Sequence, residues 1–339
     1  MRALALVALA GCGTVFTTPD SGGGSSDVDG GTTTPDGEAP GDDAATDAPL
    51  PQGQRVAVVV GYGTRRARSL DGMTWTNFVQ VTAEGGDDND LLRGVGWGDG
   101  TFIAVGGAAK GITMTSTDGI TWSNENRTHD AWLGNVVYLG GVFIAAGGNG
   151  IRLRSTDRGV TWGSGGGYQP LHYRDVATNG TIAAAVGHTY DTTPSLGYIA
   201  TTTDGITWTE RRRMGGALNR VIAGNGTFVA AGSGDTVLRS TDGITWTEHA
   251  LGASGDITLA FDGSDFVASA GGKVFRSSNG MTWTDVPGGS GSPSAYIDGR
   301  FLSTGWPASI STSQNLTSWT PAFSPGGSGF TKIVVGVVP

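Results

Sequence analysis

Apolar residues in this chain come in short bursts broken by turn dipeptides. The clearest copy runs Asn219-Arg-Val-Ile-Ala-Gly, Asn225-Gly, Thr227-Phe-Val-Ala-Ala-Gly, Thr236-Val-Leu-Arg-Ser-Thr, Asp242-Gly and Ile244-Thr-Trp-Thr-Glu. Brief β-branched or apolar runs separated by Asn-Gly and Asp-Gly predict strands joined by tight hairpins, because those dipeptides tolerate positive φ. Four strands per unit follow, lettered a to d from the inside outward. A four-stranded unit cannot cover both of its faces, so neighbouring units must pack on one another around an axis.

The unit recurs. Ser69-Leu-Asp-Gly-Met-Thr-Trp75, Ser116-Thr-Asp-Gly-Ile-Thr-Trp122, Ser155-Thr-Asp-Arg-Gly-Val-Thr-Trp162 and Thr202-Thr-Asp-Gly-Ile-Thr-Trp208 are followed by Ser240-Thr-Asp-Gly-Ile-Thr-Trp246, Ser277-Ser-Asn-Gly-Met-Thr-Trp283 and a degenerate Ser313-Gln-Asn-Leu-Thr-Ser-Trp319. The tryptophans are spaced by 47, 40, 46, 38, 37 and 36 residues. Units of this length predict an all-β, seven-bladed β-propeller of four-stranded blades over 54–339. The first unit begins directly at Val56-Ala-Val-Val-Val-Gly61, which matches strand b, and lacks a strand a. Lys332-Ile-Val-Val-Gly336 aligns with Arg220-Val-Ile-Ala-Gly224 and supplies the missing strand, so the C-terminal strand is expected to pair into the first blade and close the ring.

The repeated segment resembles the Asp-box, or BNR, repeat of sialidase-like propellers, Ser/Thr-x-Asp-x-Gly-x-Thr-Trp. Ser155 to Trp162 matches it in full; five copies lack the residue before Gly, and the seventh also lacks the Gly. The resemblance implies that Asp71, Asp118, Asp157, Asp204 and Asp242 are structural turn residues, on the face opposite the usual binding site. The Asp carboxylate would accept backbone N–H groups of the c–d turn while the Trp packs across the outer blade.

Ahead of the repeats, Met1-Arg2, the apolar run Ala3 to Ala10 and Leu9-Ala10-Gly11-Cys12 resemble a bacterial signal peptide with a lipobox, in residues 1–12. Cys12, the sole cysteine, is the expected lipidation site, and the run is too short to span a bilayer. Residues 13–53, rich in Gly, Ser, Thr, Asp and Pro, are expected to form a disordered tether. Gly13 after the cysteine resembles the outer-membrane class of lipoproteins. This points to the bacterial cell envelope, with the lipid anchor as the only membrane contact.

Charge narrows the partners. The chain holds 21 Lys and Arg against 30 Asp and Glu, a formal net charge of −9, so nucleic acid is not an expected ligand. Residues 1–53 carry eight of the acids and one base, leaving the repeats nearly neutral. The basic runs Arg65-Arg66-Ala67-Arg68 and Arg211-Arg212-Arg213 lack interleaved aromatics and are expected to be strand or loop surface.

Catalytic chemistry is not legible. The arginine triad, Tyr/Glu pair and general acid implied by enzymatic sialidases cannot be located, and the chain holds no Gly-x-Ser-x-Gly elbow, P-loop or His pair at metal-ligand spacing. No catalytic residue, metal or cofactor is assigned. Asp87-Asp88-Asn89-Asp90 has oxygen ligands suited to Ca²⁺ but lacks the 12-residue loop pattern, so a solvated acidic connector is the expectation.

Aligning the units gives a candidate surface instead. Arg174, Arg220 and Lys332 are expected at equivalent starts of strand a, with Arg93 one residue away, forming a basic ring at the channel mouth suited to a carboxylate or phosphate. Pairing with Asp175 and Asp256 is the plain alternative. Trp132, Trp306 and Tyr190 are expected on the same face, while Trp97 should pack inside strand a. The reading is an envelope-anchored, non-enzymatic binding or scaffold module, monomeric, recognising a protein or glycan. A diverged sialidase-like glycoside hydrolase is the alternative, and propeller assembly factors of photosystem II are a third resemblance.

Overall fold

The structure is a computed structural model that describes Leu6–Val7, Phe16–Thr17 and residues 53–82 and 88–338. Cys12, Asp87 and the 13–53 segment apart from Phe16–Thr17 and Gly53 lie outside the described residues. Leu6–Val7 and Phe16–Thr17 pair as two short antiparallel strands.

Residues 54–338 form a seven-bladed β-propeller of antiparallel sheets. Strands a of the second to seventh blades are Leu92–Gly98, Leu133–Leu139, Leu171–Thr178, Leu218–Gly224, Thr258–Phe261 and Ala295–Ile297. In the fifth blade, positions b and c merge into one continuous run, Thr227–Ser240. The first blade takes its strand a from the other end of the chain. Phe330–Val338 pairs antiparallel with Gln54–Gly61 along its length, from Phe330 opposite Gly61 to Val338 opposite Gln54. The ring is therefore closed as expected, with no free inner edge at the junction.

Burial on both faces explains why the inner strands read as unbroken apolar runs instead of alternating. In Gln54–Gly61 the side chains of Val56, Val58 and Val60 pack with the second blade, while Ala57 and Val59 pack with the seventh. Thr101–Gly107 does the same, Phe102 and Ala104 facing the first blade and Ile103 and Val105 the third. Trp97 lies in this packing, buried against the first blade.

The c–d turns are built alike. Asp71, Asp118, Asp204 and Asp242 each accept the N–H groups two and three residues on, at 2.7 to 2.8 Å. Asp157, with its inserted residue, accepts the N–H of Thr161 at 2.9 Å. The turn glycines lie at positive φ against strand b of the preceding blade; a Cβ on Gly119 would come within 2.6 Å of Val58. Arginines of strand c complete the inter-blade tie, since Arg68, Arg154 and Arg239 donate to the carbonyls of Asp118, Asp204 and Asn279 at 2.9 to 3.0 Å. The seventh blade departs from this plan. Leu316 takes the glycine position at φ 66° and buries its side chain against the sixth blade, so apolar burial offsets the strained backbone.

Backbone N–H bonds from Thr245 and Ile244 hold the Asp242 carboxyl down at about 2. Asp242→Ala should cost about 1–2 kcal/mol in urea unfolding, while Asp242→Asn should cost less, because Asn279 and Asn315 make the same turn bonds in their blades. A folded value below the unfolded one near 4 means that this stabilisation is present above roughly pH 4 and fades as pH falls towards 2. The wild-type excess over Asp242→Ala should shrink across that window.

Candidate functional site

The mouth of the channel lies where strands a begin, at the end of the ring opposite the c–d turns. Its side chains are placed by a register shift. In five blades strand a bulges at its start, leaving Arg93, Gly134, Arg174, Asn219 and Thr331 without a partner on strand b. A bulge bends the strand and re-aims its side chain. All five of these residues line one cavity of about 460 Å³ at the mouth.

A glycine on strand b makes each bulge possible. A Cβ on Gly61, Gly106, Gly147, Gly187 or Gly232 would fall 1.7 to 2.4 Å from a carbonyl oxygen at the start of strand a. Only a residue without a side chain lets the backbones approach this closely. In the sixth blade Ala270 stands at this glycine's position, and strand a pairs without a shift, from Thr258 opposite Ser269 to Phe261 opposite Phe266.

The bulges correct the expected alignment of the basic residues. Arg93 and Arg174 are equivalent, both at the bulge. Arg220 and Lys332 stand one residue further along, level with Gly94, Asn135 and Asp175. All five bulges fall at the same place, so the offset is one of residue count: Arg174 lies two residues before Val176, whereas Arg220 and Lys332 lie one before Val221 and Ile333.

The result is two tiers. Below, Lys332 from the first blade, partly buried, reaches the buried Asp175 of the fourth at 3.1 and 3.2 Å. Asp175 also accepts from Asn135 Nδ2 at 2.7 Å and the Val221 N–H at 3.2 Å. Lys332 is thus a tie between distant blades, and it pairs with Asp175 instead of lining the cavity with the arginines. Above it, Arg93, Arg174 and Arg220 share the cavity with Trp132, Tyr62 and Asp256. The Arg93 and Arg174 guanidiniums lie 5.0 and 5.3 Å from the Trp132 ring centroid. Arg93 donates to the Gly107 carbonyl at 3.0 Å and lies 3.6 Å from Asp88. Among the described residues, neither Arg174 nor Arg220 pairs with a carboxylate, and Arg174 Nε is buried without an acceptor. Burial, and then the charges of Arg93 and Arg220, push Arg174 below the ordinary guanidinium value. Asp256 is bonded by the Ser233 hydroxyl.

Of the expected aromatics, only Trp132 enters the cavity. Trp306 lies in the last b–c loop, 68 % exposed, edge-on to Tyr62 at 5.5 Å. Tyr190 lies outside the cavity wall and stacks on His172 at 4.5 Å, and His172 in turn is 5.3 Å from Trp132. Burial, then Arg174 and His188, lower His172 to about 4, so it is neutral at pH 7. Its Nδ1 accepts the Asn149 N–H at 3.3 Å. The hydroxyls of Tyr190 and Tyr168 bond each other at 2.6 Å, which raises Tyr190 to about 12. His172, near the start of strand a, and Tyr168, in the connector before it, have no counterpart in the sequence analysis, since single aromatics at these places carry no periodic signal.

The remaining expectations divide. Asp90 pairs with Arg127 at 2.7 Å, and no cluster of three metal-ligating side chains occurs among the described residues. Arg211, Arg212 and Arg213 lie on the outer strand Thr209–Gly215. Arg65, expected at the surface, is buried, and its guanidinium bonds the carbonyls of Gly326 at 2.8 Å and Ser328. The Gly-rich connector 326–329 offers carbonyls with no strand partner, and one arginine gathers them.

No family model matches the chain, and no curated protein matches it in sequence. Among solved structures it is similar to YCF48 bound to D1 peptide, with a TM-score of 0.52, 16 % identity, and 84 % of this chain and 90 % of that one covered. It is similar also to YCF48 from Cyanidioschyzon merolae, with a TM-score of 0.51 and 18 % identity over 73 % of this chain and 95 % of that one. The WD40 propeller domain of Doa1 superposes with a TM-score of 0.52 at 11 % identity, over 72 % of this chain and 85 % of that one. At these identities the shared property is the propeller fold.

Gly187→Ala should destabilise the protein by about 1–3 kcal/mol in chemical denaturation, because its Cβ would meet the His172 carbonyl at 1.8 Å. Lys332→Met should cost about 3–5 kcal/mol by leaving Asp175 buried without its cation. The double variant Lys332→Met/Asp175→Asn should recover part of that loss.

Proposed function

We propose that this protein is a non-enzymatic binding module whose channel mouth captures a carboxylate-bearing segment of a partner protein. The carrying observation is the pair Arg174 and Arg220, which line the cavity with Arg93 and lack carboxylate partners among the described residues. Guanidiniums take carboxylates bidentately, and a partly enclosed cavity strengthens that attraction. Among the described residues one carboxylate, Asp256, lines the cavity, whereas glycoside hydrolysis ordinarily requires two. A protein partner is favoured over a glycan by the likeness to YCF48 bound to D1 peptide.

The reading includes an anchor. Cys12 would carry lipid, with residues 13–53 spanning roughly 35–40 Å as a flexible chain, and the site of action would be the bacterial outer membrane. Gln54 opens strand b at the end of the ring that bears the c–d turns. A tether leaving there holds the mouth away from the anchor, where a partner can reach it.

A terminally blocked Glu-rich octapeptide should bind at low salt, and Arg174→Ala/Arg220→Ala should weaken it at least tenfold in fluorescence polarisation. A Gln-for-Glu peptide should bind the wild type poorly. Equal binding of the Glu peptide by wild type and double variant would overturn the reading.

A further inference from the structure

Beside the basic cavity, aromatic rings continue outward over the third and fourth blades. Trp132, under Arg93 and Arg174, is followed by His172 at 5.3 Å and Tyr190 at 4.5 Å beyond it, and the Tyr190 hydroxyl meets that of Tyr168 at 2.6 Å. Tyr190 also donates to Asn149 Oδ1 at 3.3 Å. These bonds fix side chains that otherwise stand in water: Tyr168 is 72 % exposed and Tyr190 39 %. The shelf and the cavity share Trp132, so one ligand can touch both.

Resting on the reading of the mouth as a carboxylate site, we infer that this shelf receives an aromatic side chain of the same partner segment, two to three residues from its acidic residue. The spacing follows from the rings. The path from Trp132 to Tyr190 is about 10 Å, the reach of roughly three residues of extended chain. Charge selects the occupant. Arg174 at the inner edge opposes a cationic side chain, and carboxylates are drawn past the shelf to the arginines. Neutral His172 and the two phenols leave a surface suited to ring stacking, and Tyr and His edges tolerate the polar rim of an aromatic partner.

The test uses blocked, fluorescently labelled peptides on the full chain: Gly-Glu-Gly-Gly-Trp-Gly, the same residues in reverse order, and versions with Ala for Trp or Gln for Glu. In one of the two orders the Trp peptide should bind about fivefold or more tighter than its Ala counterpart, as one aromatic contact supplies. Tyr168→Ala/Tyr190→Ala should bring that ratio close to one, with circular dichroism confirming an intact fold. Equal affinity for Trp and Ala peptides in both orders would overturn the shelf, as would a Trp preference that survives in the double Tyr variant. Failure of the underlying reading looks different, because the Gln-for-Glu peptides would then bind as tightly as the Glu peptides whatever the Trp does.

Discussion

The structure depends on blades that are apolar on both faces. A sheet whose inner strands are buried on two sides has no stable existence alone, and each blade here gives one set of side chains to the blade before and another to the blade after. Such an arrangement must either cap its ends or close. Closure is achieved by a single antiparallel pairing between the two ends of the propeller, Phe330–Val338 on Gln54–Gly61, and this makes the first blade the most non-local sheet in the molecule. Lys332, on that same strand, then reaches across to Asp175 and binds the junction to the fourth blade.

The c–d turns and the channel mouth divide the remaining work between opposite ends of the ring. At the turns, carboxylate or amide oxygens collect backbone N–H groups, glycines admit close contact, and arginines of strand c tie the turns of the second, fourth and sixth blades to the blade before. These are repeated, self-contained contacts. At the mouth, repetition breaks down. The five bulge positions hold Arg, Gly, Arg, Asn and Thr, so one backbone device presents four different chemistries from five blades. A rigid, regular frame with irregular inward residues suits recognition, since the frame has already met the entropy of ordering those side chains.

The positive character of the mouth comes from what was not neutralised. Lys332 is consumed by Asp175 and Arg93 is partly offset by Asp88, whereas Arg174 and Arg220 keep their charge unshared among the described residues. Trp132, beside two guanidiniums, holds them by its ring face without cancelling their charge. An aromatic residue at this point therefore both positions the cations and links the cavity to the shelf of His172, Tyr190 and Tyr168.

Much of this fold was written in local signals. The recurring Ser/Thr-x-Asp-Gly segments with their spaced tryptophans, and the absence of a strand before Val56, determined seven blades and the C-terminal closure, because hairpin chemistry and strand count are properties of short segments. The strand-b glycines of five blades, from Gly61 to Gly232, were also visible, but their meaning was not: it lies in a carbonyl about 2 Å from a Cβ that is not there, contributed from the start of strand a. The sequence reading set Arg174, Arg220 and Lys332 in one ring, whereas the strand registers put Arg174 at the bulge and Arg220 and Lys332 at the position after it. Likewise Arg65 reads as one more surface base until the connector 326–329 folds over it, and Lys332 reads as free until the ring brings Asp175 beneath it. Charges are assigned by sequence; which of them remain unpaired is decided by the folded contacts, which for Lys332 and Arg65 join residues 157 and 261 positions apart.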